Sequence, residues 1–213
     1  MTTTWPDGSA RRAAGMAMLA APVFVLVYGV IRLLDSGHGP GGLWTTSHLL
    51  FLVGLALFVL VVAELRRQAR TAGWRALATD LTAIVAWLGL LASLVQVFLD
   101  LVVGLQSTSR AAMTAAFHRV QAIPGVELAV YLAGPVLFYV ALVAFAVLLT
   151  ARTDRRIAVV SAALIGAGAV LPGISLDLIP VAAGCLLAGL APLGVRLLRS
   201  EVATPATPRA ALR

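Results

Sequence analysis

A chain of 213 residues that is 61% hydrophobic and only 12% charged has roughly half the charged fraction of a soluble domain, where about a quarter of residues are charged. With a mean hydropathy of +0.98, that composition excludes a water-soluble globular domain. The net charge of +7 rests on sixteen basic residues, all of them arginine. They sit in short clusters between apolar runs, which excludes a nucleic-acid reading and matches topology signals and anionic-lipid contacts.

About 30 Å of hydrocarbon requires roughly 20 apolar residues at 1.5 Å rise each. Six segments approach that length: Ala14–Leu34, Leu43–Leu65, Leu81–Leu105, Val126–Thr150, Ile157–Leu171 and Leu178–Leu198. The fold class expected is therefore an all-α integral membrane protein, a six-transmembrane-helix bundle over residues 14–199. Residues 1–13 form a short leading segment, and the Pro/Ala-rich residues 200–213 read as a disordered tail. The first apolar run is too long for a cleaved signal and lacks a clear A-x-A site, so it reads as a retained helix.

Arginines mark the sides. Arg11 and Arg12 precede the first segment. Arg66, Arg67, Arg70 and Arg75 crowd the second loop, and Arg152, Arg155 and Arg156 the fourth, while Arg196, Arg199, Arg209 and Arg213 close the chain. That is thirteen, against Arg32, Arg110 and Arg119 on the odd loops. The positive-inside bias places both termini in the cytoplasm, and the exclusive use of arginine suggests a GC-rich bacterial genome. The expected location is a bacterial plasma (inner) membrane.

The third loop, "QSTSRAAMTAAFHRVQAIPG", repeats Ala112, Met113, Ala116, Phe117 and Val120 at helical spacing after a Ser/Thr cap. It predicts a short interfacial helix on the outer side. Pro172, Gly173 and Pro180 are expected to end the fifth segment near Leu171. Ala158, Ala162 and Gly166, with Gly184 and Ala188, are small residues four apart, predicting close packing of the fifth and sixth helices or a homo-oligomer through the same faces. "FLDLVVG" at 98–104 and "SLDLIPV" at 175–181 form a faint internal echo, of the kind a parallel duplication leaves.

The polar residues inside the apolar runs are the candidate site. Gln96 and Asp100 lie one turn apart on one face of the third helix. Ser47 and His48 start the second helix at a similar depth, and Glu127 and Tyr131 are expected to share a face of the fourth. Asp177 lies in the outer turn before the sixth. The sequence thus predicts an outward-facing polar pocket between helices two, three and four, with His48, Gln96, Asp100, Glu127, Tyr131 and Asp177 as ligand-binding candidates. His48, Asp100 and Glu127 are the acid–base candidates, since a histidine beside a carboxylate suits proton exchange. Structural readings stand beside these: Asp100 paired to His48 or Arg119, Glu127 at a helix N-terminus, and Asp177 in a turn.

Motifs narrow the function further. Gly37, Gly39 and Gly42 match G-x-G-x-x-G without the strand that motif needs. No Walker, nucleophile-elbow or H-E-x-x-H pattern occurs, no ligand spacing calls for a metal or cofactor, and the lone Cys185 forms no internal disulfide. Three function classes remain: a protein that binds or passes a small ligand or proton, an intramembrane enzyme acting on a lipid or isoprenoid, and a non-catalytic membrane partner or assembly subunit. No segment is specific enough to name a family.

Overall fold

The computed structural model describes residues 7–35, 37–151 and 154–202, and among these it is all helix with no strand. The helices are α1 (Asp7–Leu34), α2 (Gly42–Ala69), α3 (Trp74–Gln106), α4 (Arg110–Gln121), α5 (Gly134–Leu148), α6 (Arg155–Ile174) and α7 (Ile179–Val202). A π-helical turn, Glu127–Ala133, runs directly into α5. Six of these units are long and apolar enough to cross a membrane, α4 being the exception. The chain is consistent with a multi-pass transmembrane protein.

Surface chemistry agrees with that reading. Leu81, Ile84, Leu88, Leu91, Val95 and Phe98 form an exposed stripe along α3, at the three- and four-residue steps that keep side chains on one helix face. An apolar surface of this extent is a liability in water and suits contact with lipid. The opposite faces meet in a core that includes Met18, Phe58, Leu90, Leu142, Phe145 and Leu190.

The spans pack in chain order as a closed ring. α1 packs on α2, α2 on α3, α3 on α5, α5 on α6, α6 on α7, and α7 returns to α1. Gly15 meets Gly194 and Leu198 near the two termini, and Gly29 meets Ile179 and Pro180 at the other end of the same seam. The start of α1 and the end of α7 thus lie at one end of the bundle, here the terminal end. The loops before α2, around α4 and before α7 lie at the other, the loop end. At Gly89 the α3 and α5 backbones approach so closely that a Cβ would overlap the Phe138 amide nitrogen. Only glycine permits that crossing.

Several local expectations are corrected. α1 starts at Asp7, ahead of the expected Ala14, and α7 runs to Val202; residues 203–213 of the expected tail lie outside the described residues. α6 passes through Pro172 and ends at Ile174, because a proline in a last turn removes only one hydrogen bond. Pro180 sits in the first turn of α7, where its missing N–H costs nothing. The close contacts between α6 and α7 fall at Gly168 and Gly189, whereas Gly166 faces Val143 of α5 and Gly184 meets nothing within 4 Å.

The third-loop helix is present. The Ser109 hydroxyl caps it by accepting from the Ala112 amide at 3.2 Å. Met113 is buried beneath it, and the Phe117 ring lies 6.1 Å from that of Trp44. α4 packs on α3 and reaches the start of α2 through the Phe117 ring.

Candidate functional site

The α2 start is organised around one carbonyl. Nδ1 of His48 lies 2.8 Å from the Trp44 carbonyl oxygen, and the Ser47 hydroxyl donates to the same oxygen at 2.8 Å. A carbonyl oxygen only accepts, so Nδ1 carries a hydrogen and Nε2 is the nitrogen left to take or give a proton. The Trp44 ring stacks on the imidazole at 4.0 Å between centroids, and Tyr28 of α1 meets it edge-on at 5.3 Å. His48 is 3% exposed, so its ring has little freedom to turn.

Nε2 points across to α3. It lies 4.0 Å from Oδ2 of Asp100, too long for a direct hydrogen bond and close enough for a charge pair. The other carboxylate oxygen, Oδ1, accepts from the Tyr131 hydroxyl at 3.0 Å. The Trp44 indole N–H donates to the Asp100 backbone carbonyl at 3.3 Å, which ties α2 to α3 at the same level. A Cβ at Gly104 would overlap that indole, so Gly104 makes room for the platform on which His48 rests. Asp100 thus gains its partners from α2 and from the π-helical turn, while Arg119, one of the partners expected from sequence, is exposed on α4.

The π-helical turn is what delivers Tyr131. Pro135 has no N–H to donate to the carbonyl four residues back, and the Gly134 amide instead reaches the Ala129 carbonyl, five residues away. Widening the turn in this way also breaks the four-residue register. Glu127 and Tyr131 were expected to share a face; Glu127 is exposed while Tyr131 turns inward onto Asp100. Such single widened turns recur at functional sites.

Asp177 is also apart from the cluster. It is exposed in the short turn Leu176–Leu178, and its amide is capped by the Ser175 hydroxyl at 3.2 Å. Of the six candidates, the structure brings His48, Asp100 and Tyr131 together, sets Gln96 on a nearby wall, and leaves Glu127 and Asp177 outside. Sequence reasoning missed Tyr28 and Arg32. They lie one turn apart near the end of α1, and the Arg32 guanidinium is within interaction range of both Tyr28 and His48. Its buried Nε has no hydrogen-bond partner among the described residues. The signal was an arginine inside the apolar run "VYGVIRLL".

Beside this cluster lies a cavity of about 540 Å³, within the range of about 300–1,000 Å³ typical of small-molecule sites. Every membrane-length helix contributes to it, so it occupies the middle of the ring rather than the space between helices two, three and four. Aromatic side chains including Phe51, Phe58 and Phe138 form much of its wall. Its polar lining groups are Tyr28, Ser93, Gln96, Tyr131 and Tyr139, all uncharged. The Ser93 hydroxyl is already engaged, donating to the Gly89 carbonyl at 2.9 Å. His48, Arg32 and Asp100 do not line the cavity; Tyr131 stands between it and the carboxylate.

Among the described residues no three His, Cys, Asp or Glu side chains converge as a metal-sized group. No family model matches the chain, and neither a curated protein nor a solved structure matches it.

Proposed function

We propose that the protein binds a small, mostly apolar molecule in the central cavity, and that His48 and Asp100 exchange a proton behind the Tyr131 wall of that cavity. The observation that carries this reading is the cavity itself, bounded by all six spans and joined to the Asp100 carboxylate through the Tyr131 hydroxyl. Helix bundles close-pack their interiors, and packing alone has no use for a void of drug-like volume. A proton taken up at Nε2 of His48 would face Asp100, and Tyr131 would pass the change in charge to whatever occupies the cavity.

The enzyme reading is weaker, because neither the carboxylate nor the imidazole reaches the cavity surface. An acid or base must approach within about 3 Å of the atom it serves. Nothing in the site specifically favours the non-catalytic partner reading.

The arginine distribution supports an orientation with both termini cytoplasmic and the loop end outside. In that frame α4 lies along the outer surface of a bacterial inner membrane. A cysteine replacing Gly39, in a Cys185→Ala background, should react in whole cells with an impermeant maleimide; protection of that site would reverse the orientation.

The binding reading is tested by thermal unfolding of the purified protein across a panel of small apolar compounds. A ligand of the folded state raises the melting temperature in proportion to the logarithm of its concentration. At least one compound should stabilise the wild type and leave Ala182→Phe, whose ring would fill the cavity, unaffected. Equal responses in both proteins across the panel would sink the reading.

A further inference from the structure

We infer that the cavity is loaded sideways from the bilayer, through a gap between α5 and α6 at the loop end, and that its occupant is an uncharged amphiphile: a hydrocarbon carrying a hydroxyl or carbonyl head. This rests on the binding reading above and adds the route and the chemical class.

The route follows from which lining residues are also exposed. Leu132, Val136 and Val140 on one side, and Val170 on the other, line the cavity while remaining 60%, 54%, 56% and 62% exposed. Gly173, next along α6, lines it and is exposed as well. A side chain that faces both the cavity and the outside marks an opening. The two helices touch where Gly166 faces Val143. Toward the loop end the π-helical turn leans onto α3, with Tyr131 on Asp100 and Gly134 against Ala92, and the cavity lies between it and α6. Apart from Gly173 every one of these rim residues is a large aliphatic, so the opening faces hydrocarbon rather than water. A molecule using it comes from the membrane.

The class follows from the lining. An ion placed among aromatic and aliphatic walls, without a charged partner at the surface, is strongly penalised. The charged groups nearby are held back: Asp100 behind Tyr131, and His48 beneath Trp44 and Tyr28. The polar side chains that line the space, Gln96, Tyr28 and Tyr139 among them, are neutral, and each can donate or accept a hydrogen bond. They suit an alcohol or carbonyl head, and the aromatic walls suit its chain.

The test uses full-length protein in lipid nanodiscs and radiolabelled oleyl alcohol, with oleate and oleylamine as charged analogues of the same chain. Binding rates and equilibrium affinity are measured for the wild type, for Ala182→Phe, and for two rim variants, Gly173→Trp and Val170→Trp. A Cβ at Gly173 meets nothing within 4 Å and Val170 is exposed, so the rim variants should fold; their melting temperatures check this. The alcohol should bind the wild type at least about tenfold more tightly than either analogue. Each rim variant should slow both association and dissociation by about tenfold, because a barrier at a mouth acts on both directions. Ala182→Phe should abolish binding. If Ala182→Phe binds as the wild type does, the cavity reading itself fails. If it abolishes binding while both rim variants keep wild-type rates, the cavity stands and the sideways route is overturned. If oleate or oleylamine binds as tightly as the alcohol, the assignment of an uncharged head is overturned.

Discussion

The two ends of the bundle treat carboxylates differently. At the terminal end, Glu64 is buried yet held by neighbours on its own helix, with Arg67 three residues on forming a two-pronged ion pair and the Gln68 amide donating at 2.8 Å. Asp80 there takes Arg66 at 2.8 Å and Arg70 at 3.5 Å across a short turn that Gly73 makes with a φ of 66°. At the loop end, Asp100 has no arginine ion pair among the described residues. Its partners are a phenol 31 residues away and an imidazole on another helix. The first arrangement neutralises charge locally and would form in almost any bundle. The second exists only when α2, α3 and the π-helical turn are assembled.

Four substitutions break or sharpen that contrast, in descending order of effect. Gly104→Leu drives a side chain into the Trp44 indole and displaces the platform beneath His48. Overpacking of this kind costs about 1–3 kcal/mol, and the melting temperature in detergent should fall furthest here, near the upper figure. Tyr131→Phe removes the hydroxyl that Asp100 Oδ1 accepts from and leaves the carboxylate short of a donor. A loss of about 1–2 kcal/mol is expected, together with loss of ligand-induced stabilisation; an unchanged response to ligand would detach Tyr131 from the site.

Asp100→Asn keeps the shape and an acceptor for Tyr131 while removing the charge. Asp100 accepts a side-chain hydrogen bond from Tyr131 and lies 4.0 Å from His48, and a charge held away from water with so few direct partners is costly to the fold. The variant should melt at or slightly above the wild type. A clear drop would make Asp100 a structural partner of His48. Arg66→Ala should have the smallest effect, about 0–1 kcal/mol and diminishing with added salt, since that side chain is 44% exposed. A larger loss there than at Tyr131 would invert the contrast between the two ends.

Much of the architecture was legible because length and hydropathy act locally. Every apolar run but Ile157–Leu171 is long enough to span a membrane by itself, and Ser109 announces α4 one residue ahead. Gln96 and Asp100 were correctly placed one turn apart because α3 is regular there. The pairing of Glu127 with Tyr131 failed because it assumed four-residue stacking through a turn that Pro135 widens. That proline was visible, but its effect on register depends on where the freed carbonyl finds a donor. The role of Tyr28 and Arg32 was hidden because it depends on α1 lying against the start of α2. The cavity was hidden for the same reason at larger scale, since it is defined by what six separate helices leave unfilled.

The ring has a consequence for how the protein is made. Five of its interfaces join spans that follow one another in the chain, and only the seam between α1 and α7 joins the first to the last. As the chain emerges amino terminus first, each new span can dock on the one before it. The seam must wait for α7, with Gly15 and Gly29 left uncovered until it arrives. Ile179, Ala182 and Leu186 of that last helix also supply one wall of the cavity. The cavity is therefore closed only once α7 is in place, and a ribosome stalled before α7 would leave an open crescent of helices around an unfinished wall.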